Sequence, residues 1–477
     1  MGPKPSAWGC TETTIFNPLD FGAIGDGKHD DTQAVQACIN AASNVQSFTL
    51  HPSSFIHFPS GKTFLVGPLE LKGNIDYHFE AGSRLLANPD ESIYHLSAFG
   101  DNRGEGMLWL WANGADNISF SGQGIIDGNG IAFMGPELED SYVLKDLKDP
   151  KFDPRPHVLT LFGCRNIEIS GITVQNGAYW TIHLVGCDGA KIHDMSLLNQ
   201  LKIRNGDGID LDHTSNVEIW NCLIESGDDC ICLKNRREYS EGYLDAFSYL
   251  QPQNSPKSPS PIVMRSTKTQ HIRVRDCVMT GRSCTIKIGS ENMDSISDVV
   301  FDRCVIRASN RGLGIQNRDE GTVTDVTFQN MTVESWLFSD VWWGKAEPIY
   351  VTSYPRAVGN HKDAGWRFPK GATEGRCGEV SNITFRNIEG ISENGCFVGG
   401  DVEGKVKDIR FDNVTLTLRR TTQHPLGIYD RRPCLGEGFV RGLTYGLVTE
   451  NADVQTRRFE VIPDDSFPED QYGGEIK

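Results

Sequence analysis

Five aspartates stand within Asn205–Asn235, which reads NGDGIDLDHTSNVEIWNCLIESGDDCICLKN: Asp207, Asp210, Asp212, Asp228 and Asp229. Carboxylates among apolar, strand-like residues cost free energy unless they are paired, solvated or used. Asp207 and Asp228 lie 21 positions apart. If the chain coils at a little more than that interval, they sit on adjacent strands about 4.8 Å apart, with Asp229 beside them. Three carboxylates held so close repel, and at least one then has a raised pKa. A protonated acid next to an ionised base is what hydrolysis of a glycosidic bond requires. A solvated acidic turn or a cation site would use the same residues. Alternation along a strand sends Asp228 and Asp229 to opposite faces, so both reach one groove only if the chain bends or bulges at Gly227.

The elements that must position these residues are visible as a repeat. NIEISGITV from Asn166, NVEIWNCLI from Asn216, HIRVRDCVM from His271 and DVVFDRCVI from Asp298 share one pattern with DVTFQNMTV from Asp325, NITFRNIEG from Asn382 and DIRFDNVTL from Asp408. Each has a polar residue, an alternating strand, a polar turn pair and a second short strand. The starts at 271, 298 and 325 are 27 residues apart, and 382 to 408 is 26. One such unit cannot bury its own apolar side, but a stack can. The period is too short for a propeller blade, which needs about 40 residues or more. The expected fold is all-β, a right-handed parallel β-helix with an N-terminal capping helix. That helix is expected from about Thr32 to Ala42, N-capped by Asp30 or Asp31, with Val35, Cys38, Ile39 and Ala42 closing the core. A single domain is expected over residues 1–438, with the cap at about 17–45 and insertions at about 236–265 and 336–378. Residues 439–477 read as a strand or two and an acidic tail.

Composition limits the function. A net charge of −17 argues against broad binding to nucleic acid or anionic membranes, and no stretch approaches the ~20 apolar residues of a membrane helix. The N-terminus MGPKPSAWGC lacks an apolar signal core. Secretion with a leader removed is the expected setting, with a cytoplasmic location as the alternative. Thirteen cysteines, several at equivalent repeat positions (Cys222, Cys277, Cys304), read as small buried hydrophobes. His183 reads as a core histidine. The Asn-x-Thr/Ser sites at Asn117, Asn330, Asn382 and Asn413 fall in repeat turns, where turn chemistry alone favours them. No cofactor or metal is expected.

FGAIGDGKHDDT, GQGIIDGNG, NGDGID and SGDDCICLKN, in that order and spacing, resemble glycoside hydrolase family 28, the polygalacturonase and rhamnogalacturonan hydrolase family. The resemblance covers about residues 17–435 and implies a right-handed parallel β-helix and inverting hydrolysis. It assigns Asp228 as general acid, with Asp207 and Asp229 activating the water, and inversion needs acid and base about 6.5–9.5 Å apart. Two departures bear on the substrate. The family's Gly-His-Gly stretch corresponds to TGRSCTIKIGSEN, with Arg282, Ser283 and Cys284 and no histidine. Its Arg-Ile-Lys stretch corresponds to NRGLGIQNRDE, where Arg311 stands but Gln316 takes the lysine's place.

Candidate binding residues are therefore Lys234, Arg282, Lys287, Arg311, Gln316 and Lys345, as a basic patch for a uronate carboxylate, together with Trp342 and Trp343 to stack on a sugar ring. The expected partner is a pectic glycan, with no nucleic acid and no membrane. A Ca²⁺-dependent lyase on the same fold and a non-catalytic glycan-binding β-helix are the competing readings.

Overall fold

In the computed structural model, residues 14–45, 52–99, 106–145, 153–240, 249–250, 260–339, 342–356, 376–432, 434 and 438–474 are described. Among them, 31 strands join one ladder of parallel neighbours that climbs the molecule as a solenoid. The repeat starts are in vertical register. Ile272 pairs with Val299, Val299 with Val326, Val326 with Ile383 and Ile383 with Ile409, so His271, Asp298, Asp325, Asn382 and Asp408 stand one above another. Two positions on, Phe301, Phe328, Phe385 and Phe411 stack through the core with successive ring centroids 5.1–5.2 Å apart.

The polar start of each unit has a definite cause. Asn166, Asn216, Asp298, Asp325, Asn382 and Asp408 all have φ between 53° and 60°, the left-handed region that Asn and Asp tolerate best among side-chain-bearing residues. Their side chains then bond from coil to coil: Asn117 Nδ2 donates to Asn74 (2.8 Å) and Asn166 Nδ2 to Asn117 (2.9 Å). The amides of Asn330, Asn382 and Asn413 are likewise engaged with Asp302, Asp325 and Asn387.

Helix α1 spans Thr32–Ser43 and buries Val35, Cys38, Ile39 and Ala42 against the open end of the core. Of the two expected capping aspartates, Asp31 stands at the N-cap position without a side-chain bond to the helix, and only Asp30 bonds to it. Asp30 accepts the Thr32 amide (2.9 Å), while Asp31 accepts Ile24 and Gly25 and ties the preceding loop. The twelve described cysteines are free and buried; Cys10 lies outside the described residues.

The solenoid runs further than its sequence pattern suggests. Leu447–Glu450 pairs in parallel with Cys396–Gly400, and Ala452–Pro463 with Val406–Leu418. The expected break at 438/439 is thus not a structural end. The hydrophobic repeat fades because this last coil has solvent on one side, but its backbone still satisfies the ladder below. Of the expected insertions, residues 241–248, 251–259, 340–341 and 357–375 lie outside the described residues. No helix among the described residues is long and apolar enough to cross a membrane.

Candidate active site

The site lies on the outer face of one sheet of the solenoid, formed by β1 (Ile182–Val185), β2 (Ile209–Asp212), β3 (Ile231–Asn235) and the later part of β4 (Val278–Asn292). Two outward columns cross it. His183, Asp210, Cys232, Lys287 and Gly314 form one; Val185, Asp212 and Lys234 form the other, which a register shift after Leu233 interrupts before Gly289 and Gln316.

Asp207, Asp228 and Asp229 are not in these strands. Asp207 occupies the bend leading into β2, and Asp228 and Asp229 the bend leading into β3. This resolves the alternation difficulty: a bend is free of the strand rule, so both side chains of the pair reach the same side. Gly227 permits it, since a Cβ there would lie 2.2 Å from the Ile203 carbonyl oxygen. Ser226 holds the bend with its hydroxyl between the carbonyls of Gly206 (2.7 Å) and Asp229 (2.8 Å), its single proton available to either. The Gly208 amide donates to the Asp229 carbonyl (2.8 Å), stacking the two bends directly.

One oxygen from each of the three carboxylates lies within 4.8 Å of the others. That is the spacing of adjacent strands, and it is shorter than the separation expected of an inverting pair. Asp207 and Asp229 are buried, and Asp228 is half-buried. Burial, then the charge of Asp229, pushes the Asp228 carboxyl up to about 7, against the pull of Lys287 and a Ser283 hydrogen bond. Burial, then Asp228, raises Asp207 well above the carboxylate range. Asp207 Oδ1 is buried with no hydrogen-bond partner. Asp229 accepts from Lys287 Nζ (2.8 Å) and from the Cys284 amide (3.1 Å).

The other two aspartates of the cluster are taken up structurally. Asp210 pairs with Lys234 Nζ at 2.6 Å. Asp212 accepts from His213 Nδ1 (2.7 Å) and the Arg236 amide (2.9 Å), and Asp294 meets the far nitrogen of His213 at 2.9 Å.

The triad opens into a cleft of about 310 Å³, lined also by Lys234, Lys287, Trp342 and Trp343. The other expected binding residues stand apart from it. Arg311 is 1 % exposed and committed to Glu347 (3.0 Å) and the Asp430 carbonyl (2.7 Å), so its guanidinium holds the fold rather than a ligand. Gln316 is buried outside the lining, and Lys345 is buried with its Nζ 3.5 Å from the Ser339 carbonyl. Arg282 stacks on Phe338, 4.0 Å from the ring centre, behind the lining residue Ser283. His183 is buried beneath aromatic cover on the outer face, not in the core, edge-on to Trp180 at 4.9 Å. Its Nε2 faces Asp212 Oδ2 at 3.6 Å, and burial holds the imidazole pKa below its ordinary value despite that charge.

Seven lining residues were not among the sequence candidates: Trp180, Arg204, Asn205, Ser283, Gly289, Ser290 and Glu291. Trp180 was accessible. It precedes Asp207 by one 27-residue period, and the Thr181 amide donates to the Asp207 carbonyl (2.9 Å). Its ring lies 3.5 Å beneath Lys234 Nζ.

Residues 53–242 match the sequence profile of glycosyl hydrolases family 28. The chain carries a family 28 glycosyl hydrolase region. It is 27% identical over 443 residues to a polygalacturonase of Chamaecyparis obtusa, covering 90% of this chain and 71% of that one. To a probable polygalacturonase of Vitis vinifera it is 28% identical over 338 residues, covering 67% of this chain and 61% of the relative's length. The fold matches an exopolygalacturonase of Thermotoga maritima with a TM-score of 0.63 at 17% identity, over 94% of this chain and 91% of the other. It matches a polygalacturonase of Erwinia carotovora with a TM-score of 0.60 at 18% identity, over 95% and 99%. At that identity these structures bear on architecture, and they make the solenoid a right-handed parallel β-helix.

Proposed function

We propose that this family 28 protein is a glycoside hydrolase that cleaves uronate-containing pectic glycans with inversion, from the end of the chain. The observation that carries hydrolysis is the clustering of Asp207, Asp228 and Asp229 within 4.8 Å in a cleft, with Asp228 at about 7; inversion rests on the family resemblance and not on this spacing. A carboxyl with that pKa still holds its proton near neutrality and can hand it to the leaving glycosidic oxygen. Asp229, whose charge Lys287 matches, accepts the proton of the attacking water, with Asp207 beside it. Water then adds at the anomeric carbon as the bond to the leaving oxygen breaks.

Exo action is favoured by the fences around the cleft. The hairpin Met134–Glu137/Tyr142–Leu144 is tied to the bend before Asp207 by Lys202–Glu137 (2.7 Å). Its tip reaches Ser339, whose Oγ donates to Asp140 (2.6 Å). Beside the lining residues Trp342 and Trp343, the Gly344 amide donates to Asp430 (3.0 Å).

Substrate choice follows the cations. Arg311 and Gln316 do not line the cleft, and Lys234 and Lys287 there are each paired with an aspartate. Homogalacturonan, with a carboxylate on every sugar, is expected to be a poor substrate. A glycan mixing uronate with a neutral sugar such as rhamnose is expected to be better.

The test is hydrolysis of defined pectic oligosaccharides, with product anomers followed by NMR. A retained anomer would overturn inversion. An unsaturated product absorbing in the ultraviolet and lost with a chelator would mark a lyase. Binding without turnover, indifferent to Asp228→Asn, would mark a glycan-binding protein.

A further inference from the structure

We infer that Arg204 is the specificity-determining cation of the cleft, the side chain that receives the carboxylate of a uronate. This rests on the reading of the cleft as a pectic-glycan site. The basic groups around the cleft are mostly occupied. Lys234 is held by Asp210 at 2.6 Å and Lys287 by Asp229 at 2.8 Å. Arg236 is held by Glu238 at 2.6 Å, and Arg311 by Glu347 at 3.0 Å. Arg282 is stacked on Phe338 outside the lining. Arg204 lines the same cleft as the three aspartates, and its side chain is exposed. Among the described residues no carboxylate lies within ion-pair distance of it.

The backbone under Arg204 is fixed in a way that suits a binding group. Buried Arg155, paired with Asp153 (2.7 Å), donates to the carbonyls of Arg204 (2.7 Å) and Ala178 (3.2 Å). Asn199 donates to the Gly206 carbonyl (3.2 Å) and to Thr181 Oγ1 (2.6 Å). Asn205 turns the chain with φ 56° directly before Asp207. The bend that presents the triad's Asp207 therefore also presents Arg204, three residues earlier and in the same rigid unit. A guanidinium suits the planar two-oxygen face of a carboxylate, and its charge is unspent before ligand arrives. A sugar seated against the triad thus has one unpaired cation within the cleft to meet a single carboxylate. This agrees with a substrate that is acidic at one position and neutral at the next.

The experiment is a binding measurement, so that it does not depend on turnover. Affinities for trigalacturonate and for its carboxyl-reduced, neutral counterpart are measured by calorimetry on the full chain carrying Asp228→Asn, with and without Arg204→Ala or Arg204→Lys. Arg204→Ala is expected to lower the preference for the acidic ligand over the neutral one by about 10- to 100-fold, the range of a charged hydrogen bond, and Arg204→Lys to restore part of it. An unchanged preference, equal weakening of both ligands, or no affinity of the parent protein for trigalacturonate would each overturn the inference. Turnover by the unmodified protein is scored separately. If it fails while the Arg204-dependent preference stands, the hydrolase reading falls and this one does not.

Discussion

One outward column of the sheet passes through two very different regions. Its lower part, Asp210 and Lys287, stands under and beside the open cleft. Its upper part, Tyr350 and Phe397, lies beneath the antiparallel pair Ile428–Asp430 and Phe439–Arg441, packed with Tyr354 and Tyr429. Both regions bury charge. In the upper one the charges are of opposite sign and paired: Arg311 binds Glu347 (3.0 Å), and Arg432 binds Asp430 (2.8 Å). In the lower one, three carboxylates face one another, and a buried oxygen of Asp207 has no partner. The same repeat thus makes a structural network where insertions cover it and a reactive one where they leave a gap. What separates them is complementarity of charge and access to solvent, not the scaffold.

The sharpest way to break this contrast is Asp228→Asn, which preserves shape but removes the transferable proton. A loss of about 10²–10⁴-fold in kcat is expected, with near-normal turnover on the best oligosaccharide counting against the acid role. The same variant should melt at a higher temperature than the unmodified protein at pH 8. A carboxyl whose folded pKa is raised, here from 3.8 to about 7, is held protonated by the fold. Stability is lost as pH rises through that window, and the asparagine has nothing to ionise. In the unmodified enzyme, turnover should fall as pH rises through about 7, because the acid must be protonated to act. The limb reports the coupled carboxylates together.

Glu347→Gln tests the upper region. It leaves the Arg311 guanidinium buried without its counter-charge, at a cost of about 3–5 kcal/mol, read as a lower melting temperature. At a temperature where the variant is folded, kcat should fall far less than in Asp228→Asn. A catalytic collapse with unchanged melting would reverse the assignment of the two regions.

Lys287→Ala removes the counter-charge of Asp229 at the border of the two regions. About a 10-fold loss in kcat/KM is expected, on rhamnogalacturonan fragments and oligogalacturonides alike. The smallest effect is expected from Arg282→Ala. Its stacking on Phe338 is worth about 0.5–1 kcal/mol, so kcat/KM should move by no more than about 5-fold. Efficient cleavage of oligogalacturonides, undisturbed by either change, would show that the departures from the family pattern do not set the substrate.

The sequence by itself determined the solenoid. Its period, its strand alternation and the Asn or Asp at most of its left-handed turns are local requirements that recur from coil to coil. It also determined that Asp207, Asp228 and Asp229 meet, since residues near one period apart are neighbours in any such stack. Only the tertiary structure decided which charges near them are free. Whether Arg311 faces a ligand or Glu347 depends on contacts between residues 36 positions apart and on the strand at 428–430 laid over both. Glu347 is the ladder partner of Arg311 on the next coil, but the insertion between the two coils hides the interval, so the repeat does not reveal the pair. The coil at 447–463 was hidden for a related reason: its residues are largely exposed and need little apolar surface, while backbone hydrogen bonds to the coil below still hold it in the stack.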